Sequence, residues 1–129
     1  MNEDSIRYAR MISLPEIGLK GLELLQKSKV LVIGAGALGS TCAMYLAGAG
    51  IGELTVADFD TIDISNLPRQ LFYETNQCGG LKAETLVKRM QALNNGCKSI
   101  ALTEMITSRN GMELFKGFDF VVDATDNPA

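Results

Sequence analysis

The 129-residue chain contains no histidine and no tryptophan, and only three cysteines and three prolines. Without histidine it cannot build a Ser-His-Asp or Cys-His pair, an imidazole metal site or an imidazole pH switch. Cys42, Cys78 and Cys97 are odd in number, widely spaced and form no CxxC pair, which fits reduced thiols in the cytoplasm better than a disulfide framework. No basic run is present either. Twelve Lys and Arg against fifteen Asp and Glu give a net charge of −3, the opposite balance to that of a dedicated nucleic-acid or anionic-membrane binder. The opening stretch MNEDSIRYAR mixes charges and does not read as a secretory signal. Chemistry is left to carboxylates, Lys, Arg, thiols and backbone amides.

What is present is a core-forming composition, 47% apolar with 21% charged residues, which predicts one domain or part of one. The 23 residues from Val30 to Gly52 carry no charge, long enough by count to cross a bilayer. Six glycines within them instead divide the run into a β-branched strand, a glycine turn and a buried crossover helix.

The first 27 residues read as a helical arm with a break at Pro15, ahead of a nucleotide-binding-type domain from residue 28 to 129. Strands are expected at Lys29–Ile33, Glu53–Ala57, Lys98–Leu102 and Phe118–Val122. Helices are expected at Ala37–Ala49, Leu81–Asn94, closed by Asn95 and Gly96, and Ser108–Phe115. Between Asp58 and Gly80 lies a polar, turn-rich loop of about twenty residues, a length that usually serves function. The order predicts an α/β, Rossmann-like, doubly wound and mostly parallel sheet with helices on both faces. Because the chain stops just after a strand, we expect the domain to be incomplete at its C-terminal end.

Gly34-Ala35-Gly36-Ala37-Leu38-Gly39 follows one strand and opens a helix, and Asp58 ends the next strand 19 residues after the last glycine. This is the nucleotide fingerprint in its expected context: the backbone approaches phosphate closely, the helix N-terminus offers free N–H groups, and the carboxylate accepts from ribose. The fingerprint does not separate a dinucleotide from ATP. Arg69, Lys82 and Asp126 tip the balance, since two cations and a carboxylate suit a triphosphate with magnesium better than a hydride carrier. Read singly, Arg69 and Lys82 are also ordinary surface cations, and Asp126 an ordinary turn residue. Cys42 and the methionines Met44, Met90 and Met105 read as core filler, Cys78 as an exposed thiol without a neighbour to activate it, and Cys97 carries no signal.

Several segments together resemble one family. They are Arg7-Tyr8-Ala9-Arg10, Leu14–Gly18, the glycine turn, Tyr45–Gly52, Asp58-Phe59-Asp60, Ser65-Asn66-Leu67-Pro68-Arg69-Gln70, Gly80–Ala83 and Asp123–Asn127. In order and spacing they are similar to the ThiF/MoeB/HesA adenylyltransferases, relatives of the ubiquitin-activating enzymes, along nearly the whole chain. The resemblance implies an ATP- and Mg²⁺-dependent enzyme that adenylates the C-terminal glycine carboxylate of a ubiquitin-like sulfur carrier of the ThiS/MoaD kind, in thiamine- or molybdopterin-type biosynthesis. It implies that Gly34, Gly36, Ala37, Leu38, Gly39, Asp58, Asp60 and Gln70 hold the nucleotide. Asn66, Arg69 and Lys82 would contact phosphates, Asp126 would bind Mg²⁺, and Arg10 would reach the ATP of a partner subunit in a homodimer. Met11 and Pro68 stand where the family more often has Gln, which removes no charge. Paired CxxC zinc ligands, a reactive cysteine and the carrier-docking surface belong to a C-terminal half of about a hundred residues that this chain does not contain, so zinc is expected only there.

Two other readings stay open on sequence: an NAD-dependent oxidoreductase domain sharing only the glycine fingerprint, and a non-catalytic fragment that retains nucleotide or dimerises. The first predicts that Arg69 and Lys82 face solvent away from the glycine turn.

Overall fold

A turn at Tyr8 and a second break from Ser13 to Ile17, which contains Pro15, divide the arm into three helical pieces, α1 (Glu3–Arg7), α2 (Ala9–Ile12) and α3 (Gly18–Lys27). The structure, a computed structural model, describes residues 3–125. The arm is tied to the body through Tyr8, whose ring is 3% exposed and whose hydroxyl accepts from the Asn94 amide at 2.6 Å.

The β-branched run becomes β1 (Lys29–Ile33), followed by α4 (Ala37–Ala49), β2 (Glu53–Ala57), α5 (Lys82–Leu93), β3 (Lys98–Leu102), α6 (Ser108–Phe115) and β4 (Phe120–Asp123). All strands pair in parallel in the order β3-β2-β1-β4. The chain winds outward from β1 to β3 and then crosses back to lay β4 on the other side of β1. That reversal opens a crevice beyond the carboxyl ends of β1 and β4.

Register places Val30 beside Leu54 and Val32 beside Val56. These four form the core with Ala43 and Ala47 of α4 and Ala83, Leu86, Val87 and Met90 of α5. Ala43 and Ala47, one turn apart and fully buried, give α4 a flat stripe on which α5 packs. Burying Leu54, Leu86 or Met90 contributes about 1.5–3 kcal/mol each. The opposite face is thinner: Leu31 is fully buried, but α6 touches the sheet sparsely and Phe120 on β4 stays exposed.

Three expectations are corrected. The last strand begins at Phe120, two residues late, because Gly117 and Phe118 still bond back to the end of α6. No left-handed residue closes α5: Asn94 leaves the helix extended, with φ −149°, because its buried side chain donates to Tyr8 and to the Ala47 carbonyl and accepts from Gly96 N–H. Met90 is core and Met44 packs against it, but Met105 is largely exposed. Cys97 is buried in the core, Cys42 is half-buried with its thiol pKa pushed up by burial, and Cys78 is exposed.

Candidate nucleotide site

The glycine turn is built from both sides. Gly34 N–H donates to the Ala57 carbonyl at 2.8 Å, and its φ of +102° is a conformation only glycine adopts easily. A Cβ there would lie 2.9 Å from the Ala124 carbonyl oxygen, and one on Gly39 only 1.9 Å from that of Gly34. These two glycines let β1, β4 and α4 meet. Gly36 differs: among the described residues a Cβ there would touch only the Gln70 amide nitrogen, at 3.5 Å. The residue between, Ala35, is pinned twice. Its N–H donates to Asp58 Oδ2 at 2.7 Å, and its carbonyl accepts from the buried Tyr73 hydroxyl. Among the described residues, no protein acceptor meets the N–H groups of Gly36, Ala37 or Leu38, and no acid sits in the first turn of α4. A turn with open amides at a helix N-terminus attracts an anion.

The long loop is ordered and closed at its base. Thr61 bridges Leu81, Ile62 N–H donates to the Gly80 carbonyl, and Lys82 N–H to that of Asp60. Asp58 accepts from Asp60 N–H through Oδ1 while Oδ2 holds Ala35, so one carboxylate joins the loop to the glycine turn. Asp63 caps the short 3₁₀ turn Ile64–Asn66; the backbone N–H and hydroxyl of Ser65 hold its carboxyl below the usual carboxylate range. Burial, and secondly the Asp58 charge, pushes the Tyr73 hydroxyl well above the ordinary tyrosine value. On the far side, Arg89 of α5 stacks over Phe72, 5.8 Å from the ring centre.

These elements enclose a cleft of about 540 Å³ at the carboxyl ends of the strands. Gly34, Gly36, Ala37, Leu38, Asp58, Asp60, Arg69, Gln70 and Lys82 line it. Lys82 is 6% exposed and Arg69 exposed, and neither joins an ion pair among the described residues. Gln70 is 4% exposed, with Oε1 left without a partner. Two cations without counter-ions, open amides and an orphaned amide oxygen constitute a polar site prepared for a polyanion with hydroxyl or hydrated groups attached. The arrangement the oxidoreductase reading required, cations turned away from the glycine turn, is not found.

Not every expected residue reaches the cleft. Gly39 packs against the Gly34 backbone instead of lining it. Asn66 is diverted: its Oδ1 accepts from Asp63 N–H to close the 3₁₀ turn, and it does not line the cleft. Arg10 lies exposed on α2, outside the cleft. Asp126 and Asn127 lie outside the described residues. Sequence reading missed Phe59, Glu104, Met105, Ile106 and Thr125 in the lining, and Tyr73 behind it. The segment after β3 could have been found from topology, since parallel sheets bind ligands beyond their carboxyl ends. No helix among the described residues is long and apolar enough to cross a membrane, and no cluster of three potential metal ligands occurs among them.

Comparison with known proteins gives concordant results. The ThiF family model matches residues 8–129. The adenylyltransferase and sulfurtransferase uba4 of Aspergillus niger is 40% identical over 129 residues, all of this chain and 27% of that protein. The sulfur carrier protein adenylyltransferase of Thermus thermophilus is 42% identical over 125 residues, 97% of this chain and 46% of that one. The chain thus spans between about a quarter and a half of such relatives. Among solved structures, the Escherichia coli tRNA N6-threonylcarbamoyladenosine dehydratase TcdA in complex with ATP superposes with a TM-score of 0.89 at 29% identity, over 98% of this chain and 52% of that one. Matched along almost its entire length, with the parallel sheet and glycine turn already in place, this chain belongs to the ThiF family.

Proposed function

We propose that this chain is the nucleotide-binding part of an ATP-dependent adenylyltransferase that activates the C-terminal glycine carboxylate of a ubiquitin-like sulfur-carrier protein in the cytoplasm. The observation that carries the reading is Lys82, 6% exposed, lining the cleft with the glycine turn and Arg69, and in ion-pair contact with no carboxylate among the described residues. An unpaired buried ammonium is costly unless an anion joins it. Relatives at 40–42% identity bear adenylyltransferase names, and a solved relative at 29% identity holds ATP.

In this reading the open amides of Gly36, Ala37 and Leu38, with Arg69 and Lys82, hold the triphosphate. Asp58 keeps its remaining lone pairs for the ribose. A carrier carboxylate oxygen bonds to the α-phosphorus, the bond from that phosphorus to the α,β-bridging oxygen breaks, and its electron pair leaves with pyrophosphate. The attacking carboxylate is already ionised, so positioning and charge stabilisation suffice and the absence of histidine is no obstacle. Mg²⁺ would neutralise phosphate charge, and Asp126 would be its protein ligand. Arg10, exposed on the arm, would act in the site of a second copy. Calorimetry with ATP, then pyrophosphate exchange into ATP with carrier supplied, tests the proposal. Saturable ATP binding by this chain is expected, with carrier-dependent exchange once the chain is joined to the carrier-docking half of such a relative, and absence of ATP binding by the folded chain refutes it.

A further inference from the structure

Tyr73 has no part in the scheme above. It does not line the cleft, yet its hydroxyl reaches across 38 residues of sequence to donate to the Ala35 carbonyl in the middle of the glycine turn. A peptide unit is planar and trans, so fixing the Ala35 carbonyl on one side fixes the Gly36 N–H on the other. Gly36 lines the cleft, and its N–H meets no protein acceptor among the described residues. Asp58 pins the preceding peptide through Ala35 N–H, leaving the turn little freedom to rotate. The donor is itself immobilised: the Tyr73 ring is 4% exposed, and Phe72 beside it is held under Arg89.

We propose that Tyr73 is a positioning residue for the anion seat: by holding the Ala35 carbonyl on the buried side of the turn, it aims the Gly36 N–H into the cleft. The inference rests on the nucleotide reading and adds that phosphate recognition depends on a hydroxyl that never touches the ligand. It also explains why so long a loop returns to the glycine turn, since the segment carrying Arg69 and Gln70 into the cleft is the one that orients the amides opposite them.

The test uses the full chain, with ATP and adenosine as calorimetric probes of wild type, Tyr73→Phe and a destabilised control, Val87→Ala, altered in the core away from the cleft. The phenylalanine variant should bind ATP roughly five- to thirtyfold more weakly while its adenosine affinity stays within about twofold, and the control should keep both affinities. Undiminished ATP affinity in Tyr73→Phe, or equal losses for ATP and adenosine, overturns the inference. Wild type failing to bind ATP removes the nucleotide reading itself, a different outcome. Should Tyr73→Phe not fold, fluorinated tyrosines at position 73 retain the side chain and vary only its donor strength. ATP affinity should then rise with phenol acidity, and indifference to it again overturns the inference.

Discussion

Replacing Lys82 with methionine should stabilise the ligand-free chain while nearly abolishing its response to ATP. The Lys82 side chain is 6% exposed, no acid among the described residues pairs with it, and its charge is the weakest of the influences that hold the Asp63 carboxyl low. A fully buried unpaired ammonium costs several kcal/mol, but this side chain lines the cleft, where water reaches its tip, so the recoverable part is about 1–2 kcal/mol. Methionine keeps the stem's volume against α5 and the loop. For a domain of this size that corresponds to a rise in Tm of about 3–5 °C per kcal/mol. With ATP at a hundred times its Kd, wild type should gain about 2.7 kcal/mol. A variant whose affinity is down by about a hundredfold, the usual loss for one charge-assisted phosphate contact, should gain only about 0.4 kcal/mol at the same concentration. Thermal unfolding with and without ATP reads both effects. A lower Tm for Lys82→Met without ligand would show the ammonium to be a structural partner, and an undiminished ATP shift would place the phosphates elsewhere.

Other perturbations separate structure from site. Asn94→Ala removes a buried amide that joins Tyr8 to the Ala47 carbonyl, and should cost about 2–4 kcal/mol and expose the arm to limited proteolysis before Gly18. Gly39→Ala should cost about 3 kcal/mol or more, read by denaturant unfolding, because a backbone carbonyl stands 1.9 Å from the new methyl. Gly36→Ala should change stability by only about 1 kcal/mol, since its φ of −80° suits alanine, yet weaken ATP binding tenfold or more by calorimetry. Tyr73 is held neutral above its ordinary value of 10.0, so its contribution is complete below pH 10 and is lost as pH rises toward the raised folded value. Tyr73→Phe should therefore flatten the alkaline decline in stability by up to about 1.4 kcal/mol per pH unit above pH 10.

Local chemistry made most of the fold legible. β1, α4, β2, β3 and α6 follow from periodicity and glycine punctuation because their signals are contained in five to thirteen consecutive residues. The glycine turn and Asp58 were legible for the same reason. What could not be read was decided at long range. Met105 looked like core, but it follows β3 at the end of the sheet where the cleft opens. Asn94 ends α5 through a bond to Tyr8, 86 residues earlier, which no helix-stop rule anticipates. Tyr73 carries no motif because its role is set by the carbonyl it meets.

The three glycines of the fingerprint therefore divide their work. Gly34 and Gly39 answer to packing: each stands where a Cβ would strike backbone, one at the end of β4 and the other at the turn itself. The demand on Gly34 arises from the topology, because the chain crosses back to place β4 beside β1 at the point where β1 feeds into α4, and the demand on Gly39 from the tightness of the turn between β1 and α4. A fold with this strand order needs them even without a ligand. Gly36 answers to the cleft, where the space a side chain would take is open except for the Gln70 amide. Fold and site thus place separable requirements on neighbouring residues, and a glycine fingerprint is evidence for nucleotide chemistry only through its middle member. In this chain that member is flanked by an alanine pinned from behind by Asp58 and Tyr73 and shares its cleft with Arg69 and Lys82, which join no ion pair among the described residues, so the turn is rigid where the anion would sit before any anion arrives.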